Sequence, residues 1–349
     1  MLDNYKRLVN RELDLFFQSK LEKADLIDTS SKEMIEILKE FTMRGGKRLR
    51  AALVYYGYRC FGDKNLKEVI KASMTMELIQ SYLLIHDDII DNDDLRRNGP
   101  TLHISYKNIA KRKYKKIDSN HFGMSMAILA GDICSAFANE IIAKLDIKER
   151  YKIEALKVLN HSVHHVIYGQ VLDILSQLRS TNNKEIEKIH KLKTATYTIE
   201  SPLHLGALLA GAKQKHLKTL SSYAIPLGKA FQIKDDILGM FGEKERIGKP
   251  VDSDIKEGKK NLLIIKSLEN ANPAQKQQIQ EALGNQDLTK NQLNQVRAIV
   301  IKTGSLSYSQ NLARKLVQKA KSAIKSAKFK PAGKNFLLKI ADYIEKRDY

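Results

Sequence analysis

The 349-residue sequence predicts an all-α helical bundle. Three observations carry that prediction. Apolar residues recur at three- and four-residue spacing along nearly the whole chain. No convincing alternating strand interrupts them. The prolines, Pro100, Pro202, Pro226, Pro250, Pro273 and Pro331, suit helix ends or connections.

Taken in order, RELDLFFQSKLEKADLI, MIEILKEFTMRG, LKEVIKASMTMELIQSYLLIHDDIID, MSMAILAGDICSAFANEIIAKL and IEALKVLNHSVHHVIYGQVLDILSQL all carry the helical period. SPLHLGALLAGA, residues 201–212, is apolar most of the way round. Its small residues let neighbours approach closely, which places it at the centre. From about 272 onward the chain is more polar and lysine-rich and reads as peripheral helices. No linker and no repeat of about 20–50 residues divides it, so one domain over 1–349 is expected.

Hydrophobic residues make up 43%, enough for a sizeable core. Cys60 and Cys134 cannot build a disulfide framework and have no metal-ligand spacing, which fits a reducing cytoplasm. The charged start MLDNYKRLVNRELDLFF is no signal peptide, and the apolar stretch 124–130 stops well short of the roughly 20 residues of a membrane span. A net charge of +20 suits nucleic acid, an anionic membrane or polyanionic small molecules. The densest basic run, Lys111 to Lys116, reads as a solvated helix end or loop, and no nucleic-acid-binding motif accompanies it.

LLIHDDIIDNDDLRRNGPT, residues 83–101, runs an apolar helix into five aspartates. Asp87 and Asp91 share one helix face, with Asp88 beside them, at a helix C-terminus whose dipole already disfavours anions. Hard divalent cations relieve that repulsion, and Mg²⁺ characteristically joins carboxylates to substrate phosphates. AFQIKDDILGMFG places a second pair, Asp235 and Asp236, on a different helix. In a bundle, carboxylates of facing helices converge on one metal site.

The basic motifs supply the other half. MRGGKRLR offers Lys47, Arg48 and Arg50 beside Gly45-Gly46; Arg96-Arg97 follow the first acidic cluster; LKTATYT offers Lys193 and Thr194; IGKPVDSDIKEGKKNLL offers Lys249 and Lys259. Arginine forks, lysine charges and Mg²⁺ together are what a diphosphate requires. There are more cationic motifs than one diphosphate needs, which suggests two sites, one with metal and one without.

From about Gly45 to Leu263 the sequence resembles the trans-isoprenyl diphosphate synthase (polyprenyl synthetase) family. GGKRLR, LIHDDIIDNDDLRRNGPT, LAGD, GQVLDI, KTATYT, FQIKDDIL and GKPVDSDIKEGKKNLL all occur in family order. The resemblance implies an all-α bundle around a deep central cavity, usually a homodimer, binding up to three Mg²⁺ ions. It implies that Asp87, Asp91 and Asp235 are the main metal ligands, with Asp88 and Asp236 assisting. Arg96, Lys193, Thr194, Gln232, Lys249 and Lys259 would hold an allylic diphosphate. Lys47, Arg50, Gln80 and Arg97 would hold isopentenyl diphosphate. The allylic C–O bond would ionise and isopentenyl diphosphate would attack. The hydroxyls of Thr194, Thr196 and Tyr197, and carbonyls of a bent helix there, would stabilise the cation.

Four departures from the family pattern stand out. Gln80 replaces a common His, Gly239 the third aspartate of the second cluster, Ala51 a common Pro, and Asn98 a Gly. Asn tolerates left-handed backbone, so that turn is expected to survive.

Tyr82 lies five positions before Asp87, a rise of roughly 7.5 Å. With Leu83 beside it, it resembles the floor of archaeal-type geranylgeranyl diphosphate synthases. Farnesyl and longer products, a class I terpene cyclase, a subunit of a heteromeric synthase and a basic nucleic-acid binder are the competing readings. A cyclase has no use for the GGKRLR site. Asp132 reads as a buried hydrogen-bonding group, Gln170 and Asp173 as cavity-lining or packing residues, and His161, His164 and His165 as no zinc site. The basic surface suggests attraction to anionic membranes, where a lipid product would go.

Overall fold

The computed structural model describes residues 2–242 and 253–346. Helices α1 (Asp3–Asp25), α2 (Thr29–Met43), α3 (Leu49–Arg59) and α4 (Leu66–Ile90) come first. A two-residue hairpin follows, β1 (Leu95–Arg96) antiparallel to β2 (Gly99–Pro100), then α5 (Leu102–Lys113), α6 (Ser119–Ala143), α7 (Glu149–Leu178) and α8 (Asn183–Ile189). A π-helix, His190–Glu200, leads into α9 (Ser201–Leu209) and α10 (Gln214–Phe241). Beyond the single turn Ser253–Lys256, helices span Leu262–Asn270, Pro273–Ala282, Lys290–Lys302, Ser305–Lys325 and Pro331–Glu345.

Each long segment with a helical period became a helix. α4 packs on α6, α3 on α9, and α10 against both the π-helix and Ser305–Lys325. The small residues of α9 act as expected: a Cβ on Gly206 would lie 1.9 Å from Val54 O. α3 and α9 therefore touch backbone to backbone. One buried apolar cluster extends from Tyr5 to Ile344.

Among the described residues only Ser119–Ala143 has the length and composition of a membrane span, and 44% of that window is buried. The run 111–116 is exposed throughout and closes α5, as expected.

Three expectations need correction. Pro226 lies inside α10, not at a helix end. Pro lacks the N–H that would bond one turn back, a local loss that a well-packed 28-residue helix absorbs. Asp132 is not buried; its side chain is 61% exposed, 3.6 Å from His86 Nε2. Gly131 gives the reason. A Cβ there would lie 2.4 Å from His86 Nε2, so α4 presses on Gly131 and the next position turns outward. The last helices are also more than peripheral. Tyr223 Oη on α10 donates to Leu337 O (2.7 Å), and Phe336 stacks on Tyr56 with centroids 3.7 Å apart.

Candidate active site

α4 ends at Ile90 with Asp91 as its C-cap, short of the Asn98-Gly99-Pro100 turn where the sequence places its end. Its final turn carries Asp87, Asp88 and Asp91, and the Asp91 N–H bonds to Asp87 O to close it. Lysines from distant segments reach into this acidic end. Lys259 Nζ donates to Asp91 Oδ2 (2.6 Å) and pairs with Glu257. Lys193 Nζ, on the π-helix, donates to Asp173 Oδ2 (2.7 Å) and lies 3.5 Å from Asp87 Oδ1.

Burial, with the charge of Asp87, raises the Asp91 carboxyl above its usual range against the pull of Lys259 and Lys193. Burial alone would lower the Lys259 ammonium; Asp91, Asp254 and Glu257 reverse this and hold it well above its ordinary value. Burial likewise disfavours the Lys193 charge, and Asp87 and Asp173 restore it.

The second acidic pair meets the same π-helix from α10. Thr194 Oγ1 donates to Gln232 Oε1 (2.5 Å), and Gln232 Nε2 donates to Asp236 Oδ1 (2.8 Å). A Cβ on Gly228 would lie 2.4 Å from Ala195 Cα, so α10 and the π-helix are in close backbone contact. The expected bent helix is thus a π-helix, flanked by α4 through Lys193 and by α10 through Thr194. Asp235 sits half-buried beside Asp236. Lys249 lies outside the described residues.

Asp88 and Asp236, expected to assist the metal, are engaged by neighbouring side chains. Asp88 is inaccessible and accepts from Arg96 Nε at 2.7 Å, while Arg96 Nη2 donates to Asp93 Oδ2 (2.9 Å). Burial pushes the Asp88 carboxyl up to about 7, against the pull of Arg96. Asp236 is buried and faces His190 Nε2 at 3.3 Å. Both carboxylates fix other side chains, Arg96 and Gln232.

A second basic group gathers near the GGKRLR loop. Lys47 Nζ bonds to Tyr343 Oη and lies 4.9 Å from that ring's centroid. Arg50 Nη2 donates to Thr198 Oγ1 (2.8 Å), and its Cζ lies 4.6 Å from the Tyr197 centroid. Tyr197 Oη donates to Gln80 Oε1 (2.7 Å). Arg97 Nη1 donates to Arg44 O (2.9 Å), and Arg44 Nη1 donates to Pro100 O (2.8 Å). The two loops therefore clasp each other. The hairpin turn places Arg97 and Asn98 at φ +53° and +60°, the left-handed pair a type I′ turn demands, so Asn98 does preserve the turn. Gly46, at φ +85°, lets the Arg97 guanidinium pass 3.5 Å from where a Cβ would be.

The expected hydroxyl trio divides. Thr194 and Tyr197 spend theirs on Gln232 and Gln80, while Thr196 Oγ1 is buried without a hydrogen-bond partner among the described residues.

The family model described as polyprenyl synthetase matches residues 31–300. The chain belongs to the polyprenyl synthetase family. It is 33% identical over 308 residues to a short chain isoprenyl diphosphate synthase of Methanocaldococcus jannaschii, covering 88% of this chain and 85% of that one. A geranylgeranyl diphosphate synthase of Saccharolobus solfataricus is 36% identical over 276 residues, covering 78% and 77%. Among solved structures, a geranylgeranyl pyrophosphate synthase of Corynebacterium glutamicum, complexed with isoprenyl diphosphate and magnesium, superposes with a TM-score of 0.95 at 28% identity. The superposition covers 100% of both chains. This polyprenyl synthetase is a trans-prenyltransferase.

Sequence reasoning missed several groups in this polyprenyl synthetase. The carboxylate oxygens of Asp91, Asp93 and Glu257 lie within 4.8 Å of one another, an all-oxygen set that suits Mg²⁺. Glu257 stands two positions before Lys259, so its motif was in view but not its partner. Tyr343 gave no local signal at all. Arg48 was grouped with the loop cations, yet it is buried and bonded to Glu77 Oε2 (2.9 Å), Asn10 Oδ1 (2.8 Å) and Thr42 O (3.0 Å). It holds the loop in place.

Proposed function

We propose that this trans-prenyltransferase condenses isopentenyl diphosphate with an allylic diphosphate to give geranylgeranyl diphosphate. The observation that carries this is the pairing of two separate cationic groups. One, Lys193, Lys259 and Arg96, is interleaved with carboxylates. The other, Lys47, Arg50 and Arg97, gathers with Gln80 near the GGKRLR loop.

Asp87, Asp91 and Asp235 would hold up to three Mg²⁺ ions, with Asp93 and Glu257 adding oxygens near Asp91. Bound magnesium would neutralise the charge building on the departing diphosphate. Lys193, Lys259, Arg96, Thr194, Gln232 and Lys249 bind that allylic diphosphate, and fixed cations there act as preorganised electrostatic stabilisers. Asp88 and Asp236 orient Arg96 and Gln232. Lys47, Arg50, Gln80 and Arg97 hold isopentenyl diphosphate in a near-attack pose. Tyr82, whose ring lies 4.8 Å from that of His86, sets the floor with Leu83.

We further infer one domain, since the C-terminal helices share the core of α3 and α10. A homodimer is favoured by apolar stripes left exposed on α6 (Met124, Ile128, Leu129) and α7 (Ile167, Tyr168, Val171). A cytoplasmic setting suits the two free, buried cysteines.

The test is product analysis by mass after incubation with dimethylallyl, geranyl or farnesyl diphosphate, isopentenyl diphosphate and Mg²⁺. A C20 diphosphate that disappears on chelation is expected. Hydrocarbon formed without isopentenyl diphosphate would make the protein a cyclase and overturn the proposal.

A further inference from the structure

We propose that Tyr197 is a positioning residue for isopentenyl diphosphate: by donating to Gln80 Oε1 it presents Gln80 Nε2 to the diphosphate. This rests on the substrate assignment above. Tyr197 is only 3% exposed and belongs to the π-helix, while Gln80 is half-buried on α4. The two side chains meet at 2.7 Å.

An amide has an acceptor on one side and a donor pair on the other. When a hydroxyl donor occupies the oxygen, the NH₂ is the group left to meet an anion. Turned the other way, the amide would aim carbonyl lone pairs at a diphosphate. A phenol that keeps its proton is therefore an orienting device. Burial raises the Tyr197 phenol far above its ordinary value, which keeps it protonated. The result is an uncharged donor at Gln80.

The same tyrosine supports a second ligand. Its ring lies beneath Arg50, whose Cζ is 4.6 Å from the centroid and whose Nη2 donates to Thr198. Arg50 Nε is buried and has no hydrogen-bond partner among the described residues. A buried, unsatisfied guanidinium N–H next to an oriented amide is suited to an anion's oxygen. Tyr197 thus touches two of the four residues assigned to isopentenyl diphosphate, one through its hydroxyl and one through its face.

The experiment is a double-mutant cycle in steady-state kinetics on the full chain. Tyr197→Phe keeps the ring under Arg50 and removes only the hydroxyl. It should raise KM for isopentenyl diphosphate by about tenfold, the scale of one hydrogen bond. KM for the allylic diphosphate and kcat should stay within about twofold. In a Gln80→Ala background the same change should add nothing, because the hydroxyl acts only through Gln80. Should Tyr197→Phe fail to fold, Tyr197→Met replaces it; because this also removes the ring under Arg50, its rise in KM should be about tenfold smaller in the Gln80→Ala background than in the wild type. An unchanged KM for isopentenyl diphosphate, an equal rise for both substrates, or the same rise in both backgrounds overturns the proposal. If the unaltered protein makes no condensation product, the substrate assignment fails first, and the two failures are thereby distinguished.

Discussion

The ammonium of Lys259 lies 2.6 Å from the carboxylate of Asp91, joining residues 168 positions apart. That pair ties the segment beyond α10 to the end of α4 and places a cation where the acidic helix end needs one. A hydrogen bond between charged groups contributes about 1.5–3 kcal/mol. Lys259→Met is therefore expected to raise KM for the allylic diphosphate by about ten- to hundredfold, leaving isopentenyl diphosphate nearly unaffected. Separate titration of the two substrates checks this; equal losses for both would count against it.

Arg48 and Glu77 form an ion pair whose side chains are 1% and 6% exposed. Removing one partner strands the other without water. Glu77→Ala should destabilise the fold by about 3–5 kcal/mol. Urea unfolding measures it, and a change below about 1 kcal/mol would refute the buried-pair argument.

Gly206 and Val54 set the separation of α3 and α9, because a Cβ on Gly206 would lie 1.9 Å from Val54 O. Gly206→Ala must push the helices apart, at a cost of about 1–3 kcal/mol for overpacking. A lowered melting temperature is expected, and an unchanged one would mean the contact is soft.

Tyr82→Ala should lengthen the product. The ring that rests against His86 would be gone, leaving room along α4 for another isoprene unit. Mass analysis after incubation with farnesyl diphosphate and isopentenyl diphosphate reads the result, and an identical product ladder rejects Tyr82 as the floor.

Leu129 and Tyr168 expose 57% and 60% of their surface on α6 and α7. Charging both, as Leu129→Lys with Tyr168→Lys, should shift the protein from dimer to monomer in sedimentation velocity. A wild-type protein that sediments as a monomer would remove the basis for the dimer.

The helical class was legible because period and composition are local properties, and α1, α2, α4, α6 and α7 follow their segments closely. The acidic clusters and the loop cations were legible for the same reason. Pairings between distant residues were not. Nothing near Lys259 names Asp91, and nothing near Lys47 names Tyr343. Arg48 looks no different in sequence from Arg50, yet one is a buried strut and the other lies over the ring of Tyr197. Pro226 and Asp132 misled for a related reason. Local preference put one at a helix end and the other indoors, and tertiary packing overruled both.

The bond between Lys47 and Tyr343 spans 296 positions. During synthesis, Lys47 must wait for its partner until translation has passed residue 343. A ribosome that stops a single helix early would release a chain with that lysine unbraced and with Tyr56 and Tyr223 missing their partners on the last helix. Proteolytic trimming back into Pro331–Glu345 would do the same to a finished molecule.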